Sequence, residues 1–405
     1  MRILVASPFE AGAHWAHAIN TIKMAEGFAR LGHDVTLACW RPAEGAVTTD
    51  ALAAAYGLQS RLRWGQIRRA IFGRPLDPHW HFALAALPML LRTRPHLVFS
   101  RSYIFPVLSS RLGFATVAES HADPSHATPH FQSLVNASRR PRFRTWVTIS
   151  HRLAEAYCAL GVPAEKIAVL PDAVDLHLFR RPTALPADPF AGRRPAAVYA
   201  GHLYDYKGIP TILEAAKRLP GVYFHLVGGW VEDIARQRNA AAELGATNVI
   251  FHGGHPHAAV PSFLWHADVL LLPPSARHPS AAWTSPVKLG EYLASGSPVV
   301  ATSIPALRDW LTDDHVIFVA PDDGRALADG LATVLADPRL AAVRTAAALA
   351  RAEELSYEGR AADIIHRTGL PQTRSSAGGQ PKAANSSIGP IGTSTDRPAS
   401  RETRE

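Results

Sequence analysis

Two lysines of this 405-residue chain stand where a lysine is electrostatically out of place. The first, Lys207, lies in Ala200-Gly201-His202-Leu203-Tyr204-Asp205-Tyr206-Lys207-Gly208, between an apolar run that reads as a strand and a helical run that Pro210 is suited to open. A cation near a helix N-terminus costs a few tenths to about 1 kcal/mol unless an anion separates it from the exposed amides, so Lys207 reads as a phosphate ligand. The second, Lys288, lies in Thr284-Ser285-Pro286-Val287-Lys288-Leu289-Gly290-Glu291-Tyr292-Leu293-Ala294-Ser295-Gly296-Ser297-Pro298. Ser285 is a good N-cap, Pro286 a good first helical residue and Gly296 a good terminator, which again puts the lysine in a first turn. Glu291 projects from the same face three residues on, where its carboxylate could accept hydrogen bonds from the two vicinal hydroxyls of a ribose. Two helix N-termini, each with a first-turn lysine, describe a site for a diphosphate ester. The alternatives are a solvated Lys207 and a surface pair between Lys288 and Glu291.

Further candidates lie elsewhere. Gly12, in Ala11-Gly12-Ala13, follows the first strand and precedes a helix that begins near His14, a small-residue turn that lets a ligand approach closely. Glu119-Ser120-His121 ends the fourth strand, and ligands bind outside the carboxyl ends of strands in wound sheets. His252-Gly253-Gly254-His255-Pro256-His257 has histidine spacings that could hold zinc, but no carboxylate or cysteine is near, and no metal is expected.

The elements that must position these residues alternate. Arg2–Ala6, Asp34–Ala38, His96–Ser100, Ala115–Glu119, Thr145–Ile149 and Ile167–Leu170 read as strands, with helical stretches such as His14–Leu31 and His151–Leu160 between them. The second half repeats the scheme with Ala196–Ala200, Val222–Val227, Asn248–Phe251, Asp268–Leu272, Pro298–Thr302 and His315–Val319. Such alternation implies α/β architecture with parallel sheets and right-handed crossovers. Twelve strands in one open sheet would be unusual, and the stretch before Pro195 is rich in Pro, Arg and Ala without periodicity. The expectation is a domain over residues 1–180, a linker over 181–195, a second doubly wound domain over 196–355, and a helix over 356–370 that packs back on the first. Residues 371–405, with Ser, Gly, Pro, Thr and Gln and no aromatics, are expected to form a disordered tail.

Composition excludes several classes. Hydrophobic content of 47% is that of a folded globular chain, and two cysteines, Cys39 and Cys158, make neither a disulfide framework nor a thiolate zinc site. The apolar run at the start is short and is followed by Ser7-Pro8, and the stretch near Phe82–Leu91 is too short to span a bilayer, so a cytoplasmic protein is expected. The basic excess is one-sided: residues 1–180 hold 20 Lys/Arg against 12 Asp/Glu, whereas 181–370 hold 17 against 19. Arg61, Arg63, Arg68, Arg69 and Arg74 interleave with apolar residues, and Arg139, Arg140, Arg142 and Arg144 form a second cluster. Residues 58–76 and 139–144 are therefore expected to touch an anionic membrane at its inner face, with a solvated face as the alternative. No nucleic-acid reading module accompanies the charge, and no Gly-x-Gly-x-x-Gly supports a nicotinamide site.

Gly-His-Leu-x-x-x-Lys-Gly after a strand, Ser-Pro-Val-Lys-Leu-Gly-Glu-Tyr-Leu-Ala-Ser-Gly-Ser-Pro-Val-Val about 80 residues later, and Val169-Leu170-Pro171-Asp172-Ala173-Val174-Asp175 before both resemble glycosyltransferase family 4. The resemblance runs over about residues 1–368. It implies the GT-B fold, with two facing Rossmann-like domains, a nucleotide-sugar donor in the second and a sugar or lipid-linked acceptor in the first. It also implies transfer with retention of configuration and without a metal or other cofactor, in cell-envelope polysaccharide or glycolipid synthesis. Lys207 and the amides of the Ser285–Val287 turn, with Thr284 beside them, would then stabilise the leaving phosphate. Glu291 would hold the ribose, Gly253, Gly254 and His255 would lie beside the base, Gly12 would meet acceptor and donor phosphate, and His121 would position the reacting groups. The chain departs from the family pattern at His202, usually Arg, and at Trp283, usually a second glutamate. His202 replaces a guanidinium fully only when protonated. These departures raise an alternative, a nucleotide-sugar-binding protein with impaired turnover.

Overall fold

Strand β1 (Arg2–Glu10) carries Ile3, Leu4, Val5 and Ala6 in succession, all buried, which is the mark of a parallel strand covered on both faces. The computed structural model describes residues 1–69, 77–123, 128–285 and 287–371. In the first domain β1 is central, flanked by β2 (Asp34–Trp40) and β3 (Arg63–Ile67) on one side. On the other side follow β4 (Leu97–Ser100), β5 (Thr116–Glu119), β6 (Phe143–Thr148) and β7 (Ile167–Val169). All pairings are parallel, in the order β3-β2-β1-β4-β5-β6-β7. The second domain contains β8 (Ala196–Ala200), β9 (Tyr223–Val227), β10 (Val249–Gly253), β11 (Val269–Leu272), β12 (Val299–Thr302) and β13 (Ile317–Val319). They form a parallel sheet in the order β10-β9-β8-β11-β12-β13. Strand order reverses between β1 and β4 and again between β8 and β11, and crevices for ligands open at such switch points.

β3 corrects one expectation. The basic stretch beginning at residue 58 is not one continuous amphipathic face, because Arg63–Ile67 pairs with β2 as an edge strand. Arg63 meets Asp34 at 3.2 Å and Arg69 meets Glu10 at 2.7 Å, so part of the charge closes the edge of the sheet. In the second cluster Arg139 and Arg140 donate to the backbone carbonyls of Gly161 and Val107. Residues 70–76 of the first stretch, with Arg74, lie outside the described residues, as do Pro286 and the expected tail beyond Pro371. No described helix is long and apolar enough to cross a membrane.

The chain passes between the domains twice. Ala173 is buried in the first domain's core while Val174, Phe179 and Phe190 are buried in the second's. The return is made at Leu355–Tyr357, where the Val174 amide donates to the Leu355 carbonyl at 2.8 Å. The helix Tyr357–Arg367 then packs on the helix Ala16–Arg30, and Tyr357, Ala361, Ile364 and Ile365 complete the first domain's apolar core. Gly27 is what allows the close approach, since a Cβ there would lie 2.7 Å from the Tyr357 carbonyl oxygen. A buried ion network fastens the crossing: Asp175 takes Lys23 at 2.6 Å and Arg30 at 3.1 Å, and Arg30 also reaches Glu358 at 2.9 Å.

Candidate active site

Lys207 closes a short turn, Asp205–Lys207, after β8, and Gly208 adopts φ +85° to let the next helix start. No other residue fits at 208, because a Cβ would come within 1.7 Å of the Pro273 carbonyl oxygen. Lys288 lies in the first turn of the helix Val287–Ala294. Both lysines line one pocket with Tyr199, Tyr206, Ser280 and Thr284. The Lys288 ammonium stands 3.9 Å from the centroid of the Tyr199 ring and that of Lys207 stands 5.0 Å from Tyr206. Among the described residues neither has a carboxylate partner. Burial lowers the Lys207 pKa; burial and then the Lys207 charge hold that of Lys288 well below the ordinary lysine value, against a smaller upward pull from Glu291. Gly201 makes room for this arrangement, since a Cβ there would meet the Lys288 Nζ at 2.4 Å.

Glu291 is buried on the same helix and pairs with the Nε2 of His257 at 3.0 Å, so its partner is not Lys288. His202 stacks on Tyr204 and Trp230; burial, Lys288 and Lys207 all lower its pKa, which leaves the ring neutral at pH 7. Gly253, at φ +79°, ends β10 with open space where a Cβ would be, and its carbonyl accepts from the Gly228 amide at 2.7 Å; a Cβ at Gly254 would lie 4.0 Å from the Gly229 carbonyl oxygen. The histidines of residues 252–257 do not converge on a metal: His252 faces His225, His255 packs on Phe263, and His257 faces Glu291. The Ser285 hydroxyl oxygen accepts from the Asp172 amide at 2.9 Å, a contact between domains. Trp283 leaves the second domain as well and packs against the first domain's cluster around Phe131 and Tyr157.

His121 lies in the first domain beyond β5, with both ring nitrogens engaged. Arg101 can only donate, so Nδ1 accepts from its Nη2 at 3.0 Å, and the hydrogen on Nε2 is given to Glu119 at 2.9 Å. This assigns His121 a fixed tautomer and a positioning part rather than an open base. Glu119 is fully buried; burial would raise its pKa, but Arg360 at 2.8 Å, Arg101 and His121 override that and hold it well below the carboxylate range. Glu119, His121 and Asp172 bring three possible ligand atoms within 4.8 Å of one another. Two guanidiniums already lie on Glu119 and Asn20 donates to Asp172, so these carboxylates have partners within the chain. Nearby, Gly12 sits at φ +93° with nothing within 4 Å of where a Cβ would be, before a helix whose N-terminus has no side-chain cap. Reading the sequence missed Arg101, Arg360, Tyr199 and Trp230. Arg101 alone carried a signal, since it directly follows a strand at its carboxyl end.

Two wound parallel sheets, each offering its strand ends to the site, define a GT-B fold. The solved structure of HepE of Anabaena in complex with UDP superposes with a TM-score of 0.70 at 16% identity, covering 90% of this chain and 100% of that one. WaaG, a glycosyltransferase involved in lipopolysaccharide biosynthesis, gives 0.63 at 16% identity over 89% and 99% of the two chains. Residues 20–178 match the model of Glycosyltransferase Family 4 and residues 194–337 that of Glycosyl transferases group 1. The chain belongs to glycosyltransferase family 4. It is 31% identical over 217 residues to WcaL of Escherichia coli K12, ascribed to colanic acid biosynthesis, covering 51% of this chain and 50% of that protein. It is 32% identical over 188 residues to the phosphatidyl-myo-inositol mannosyltransferase of Mycobacterium tuberculosis, covering 44% and 46%. The chain spans about half the length of the curated relatives it matches.

Proposed function

We propose that the protein transfers a glycosyl group from a nucleoside diphosphate sugar to an acceptor hydroxyl, with retention of configuration and without a metal, in assembling a cell-envelope polysaccharide or glycolipid. The observation that carries this reading is the pair of lysines, mostly buried, mutually repelling, each set against an aromatic ring and without an ion-pair partner among the described residues. Such an arrangement is unfavourable until a polyanion enters, and the charge that grows on a departing diphosphate in the transition state is the charge it is built to meet. Glu291 supplies a buried carboxylate for ribose hydroxyls beside them. Cationic groups supplied by the chain do what a divalent ion would otherwise do. In the first domain Arg101 and Glu119 hold His121 in one orientation, suited to positioning the reacting sugar and acceptor. The WcaL and mannosyltransferase relatives support an envelope saccharide or a lipid-linked acceptor. The exposed arginines at 61 and 68 support work at the cytoplasmic face of an anionic membrane.

A second reading, nucleotide-sugar binding with impaired turnover, is favoured by the neutral His202 and by Trp283, which is packed against the other domain. One experiment separates the two. Thermal shifts with UDP, GDP, ADP, dTDP and their sugar conjugates are measured on the wild type, Lys207→Ala and Glu291→Ala, alongside donor hydrolysis. A shift with one nucleotide, lost in both variants and accompanied by hydrolysis, supports the transferase. A shift without hydrolysis favours the binding protein, and no shift with any of them refutes both.

A further inference from the structure

Beside the lysine pair runs a row of aromatic rings that the reading above does not use. His202 and Tyr204 have ring centroids 5.2 Å apart and planes 13° from parallel; Trp230 stacks on His202 at 5.7 Å and 28°. The row continues through Tyr206 to His278, at 5.5 Å and 4.3 Å. Its outer member is Trp230, on the loop after β9, which is 58% exposed although its indole N–H is 3.3 Å from the Tyr204 hydroxyl. A large ring held that exposed, with its orientation set by a stack and a polar contact, offers a preorganised flat surface.

The loops beneath the row are rigid and pared to glycine. The Tyr199 hydroxyl donates to the His202 carbonyl at 2.7 Å and Gln237 donates to the Leu203 carbonyl at 3.0 Å. A Cβ at Gly228 would lie 2.5 Å from the Gly201 carbonyl oxygen, and one at Gly229 would lie 2.7 Å from the Leu203 side chain. The Gly228 amide meets the Gly253 carbonyl, so the ends of β8, β9 and β10 form one surface. Two carboxylates of this surface already hold partners, Asp205 on Gln237 and Asp233 on Arg236. Backbone edges beside a ring face are the pairing that suits a nucleobase. Trp283 and Ser285, on the other flank of Lys288, turn towards the first domain.

We propose that Trp230, stacked on His202 and held by the Tyr204 hydroxyl, is the platform on which the base of the donor nucleoside diphosphate lies. The inference rests on the diphosphate reading of Lys207 and Lys288. It makes Trp230 a determinant of donor affinity through the base alone. The test is isothermal titration of the wild type, Trp230→Ala and Trp230→Phe with UDP, GDP, ADP and dTDP, and with inorganic pyrophosphate as a probe lacking a base. For whichever nucleotide binds, Trp230→Ala is expected to weaken affinity roughly 10- to 100-fold, as loss of one base–aromatic stack does, and Trp230→Phe to retain most of it. Pyrophosphate affinity is expected to be the same in all three proteins. An unchanged nucleotide affinity in Trp230→Ala overturns the proposal. So does an equal loss for nucleotide and pyrophosphate, which would mean that the indole only supports the lysine loop. A wild type that binds neither nucleotide nor pyrophosphate overturns the diphosphate reading itself, and this inference with it.

Discussion

Replacing Lys288 by methionine is expected to stabilise the empty protein and to abolish its response to a nucleoside diphosphate. Without a ligand the ammonium has given up much of its water for one aromatic face at 3.9 Å and the repulsion of Lys207, offset only in part by the pull of Glu291. Desolvating an ion costs several kcal/mol, and a cation–π contact returns about 2 kcal/mol. A methionine keeps the stem under Gly201 and a polarisable sulfur near the Tyr199 ring, a contact worth roughly 0.3–1.5 kcal/mol. The net gain for Lys288→Met is therefore about 1–3 kcal/mol, or roughly 1–4 °C in the unfolding midpoint of a chain this long. The gain has a pH dependence of known sign. With the folded pKa of Lys288 below the ordinary 10.5, the burden on the wild type is full below the folded value and fades as pH rises towards the unfolded one. The advantage of the variant should accordingly be largest at neutral pH and shrink in alkali. At a hundredfold excess over Kd the nucleotide should stabilise the wild type by about 2.7 kcal/mol and the variant not at all. Differential scanning calorimetry with and without UDP reads both effects. A variant that melts lower than the wild type, or that keeps the nucleotide shift, would refute the claim that Lys288 waits for an anion.

Two more outcomes are expected. Asp175→Ala leaves Lys23 and Arg30 with Glu26 as the one buried carboxylate they still share and should destabilise the protein by about 1.5–3 kcal/mol in chemical denaturation. Burial would raise the Asp175 pKa, yet Lys23 and then Arg30 bring it below the ordinary 3.8; its contribution is thus full above that value and is lost as pH falls beneath it, and the variant should lack this acid-side decline. His202→Arg replaces a neutral ring by a permanent cation and should tighten nucleoside diphosphate binding about tenfold or more at pH 8 in isothermal titration. The wild type should bind more tightly as the pH is lowered and His202 takes a proton, a trend that the arginine variant should not share.

What could be read in the sequence was whatever local chemistry encodes. Lys207, Lys288 and Glu291 announce themselves because a lysine at a helix start is a local anomaly, and the strand pattern follows from apolar runs such as Ala196–Ala200. β3 escaped because Arg63-Trp64-Gly65-Gln66-Ile67 is an edge strand with mostly polar or small residues, whose pairing with β2 depends on a partner more than 20 residues away. The Glu119–Arg360 pair joins residues 241 apart, and nothing in either neighbourhood hints at the other. The contact between the Ser285 hydroxyl and the Asp172 amide joins residues 113 apart, which no local pattern encodes. Trp230 was invisible for the opposite reason: an aromatic residue after a strand is normally core, and its exposure is a fact of the loop glycines around it.

The return of the last helix to the first domain fixes an order of events during synthesis. Tyr357, Ala361, Ile364 and Ile365 fill the same apolar core as Ile3, Val5 and Phe28, so the portion made first cannot close its interior until nearly the whole described chain has left the ribosome. The second domain draws only on residues from Val174 to Leu355 for its own core and can finish earlier. Folding of this protein should therefore run against the direction of translation. A nascent chain exposed only as far as Leu355 would present an open hydrophobic groove along Ala16–Arg30, a ready substrate for chaperones until the closing helix arrives.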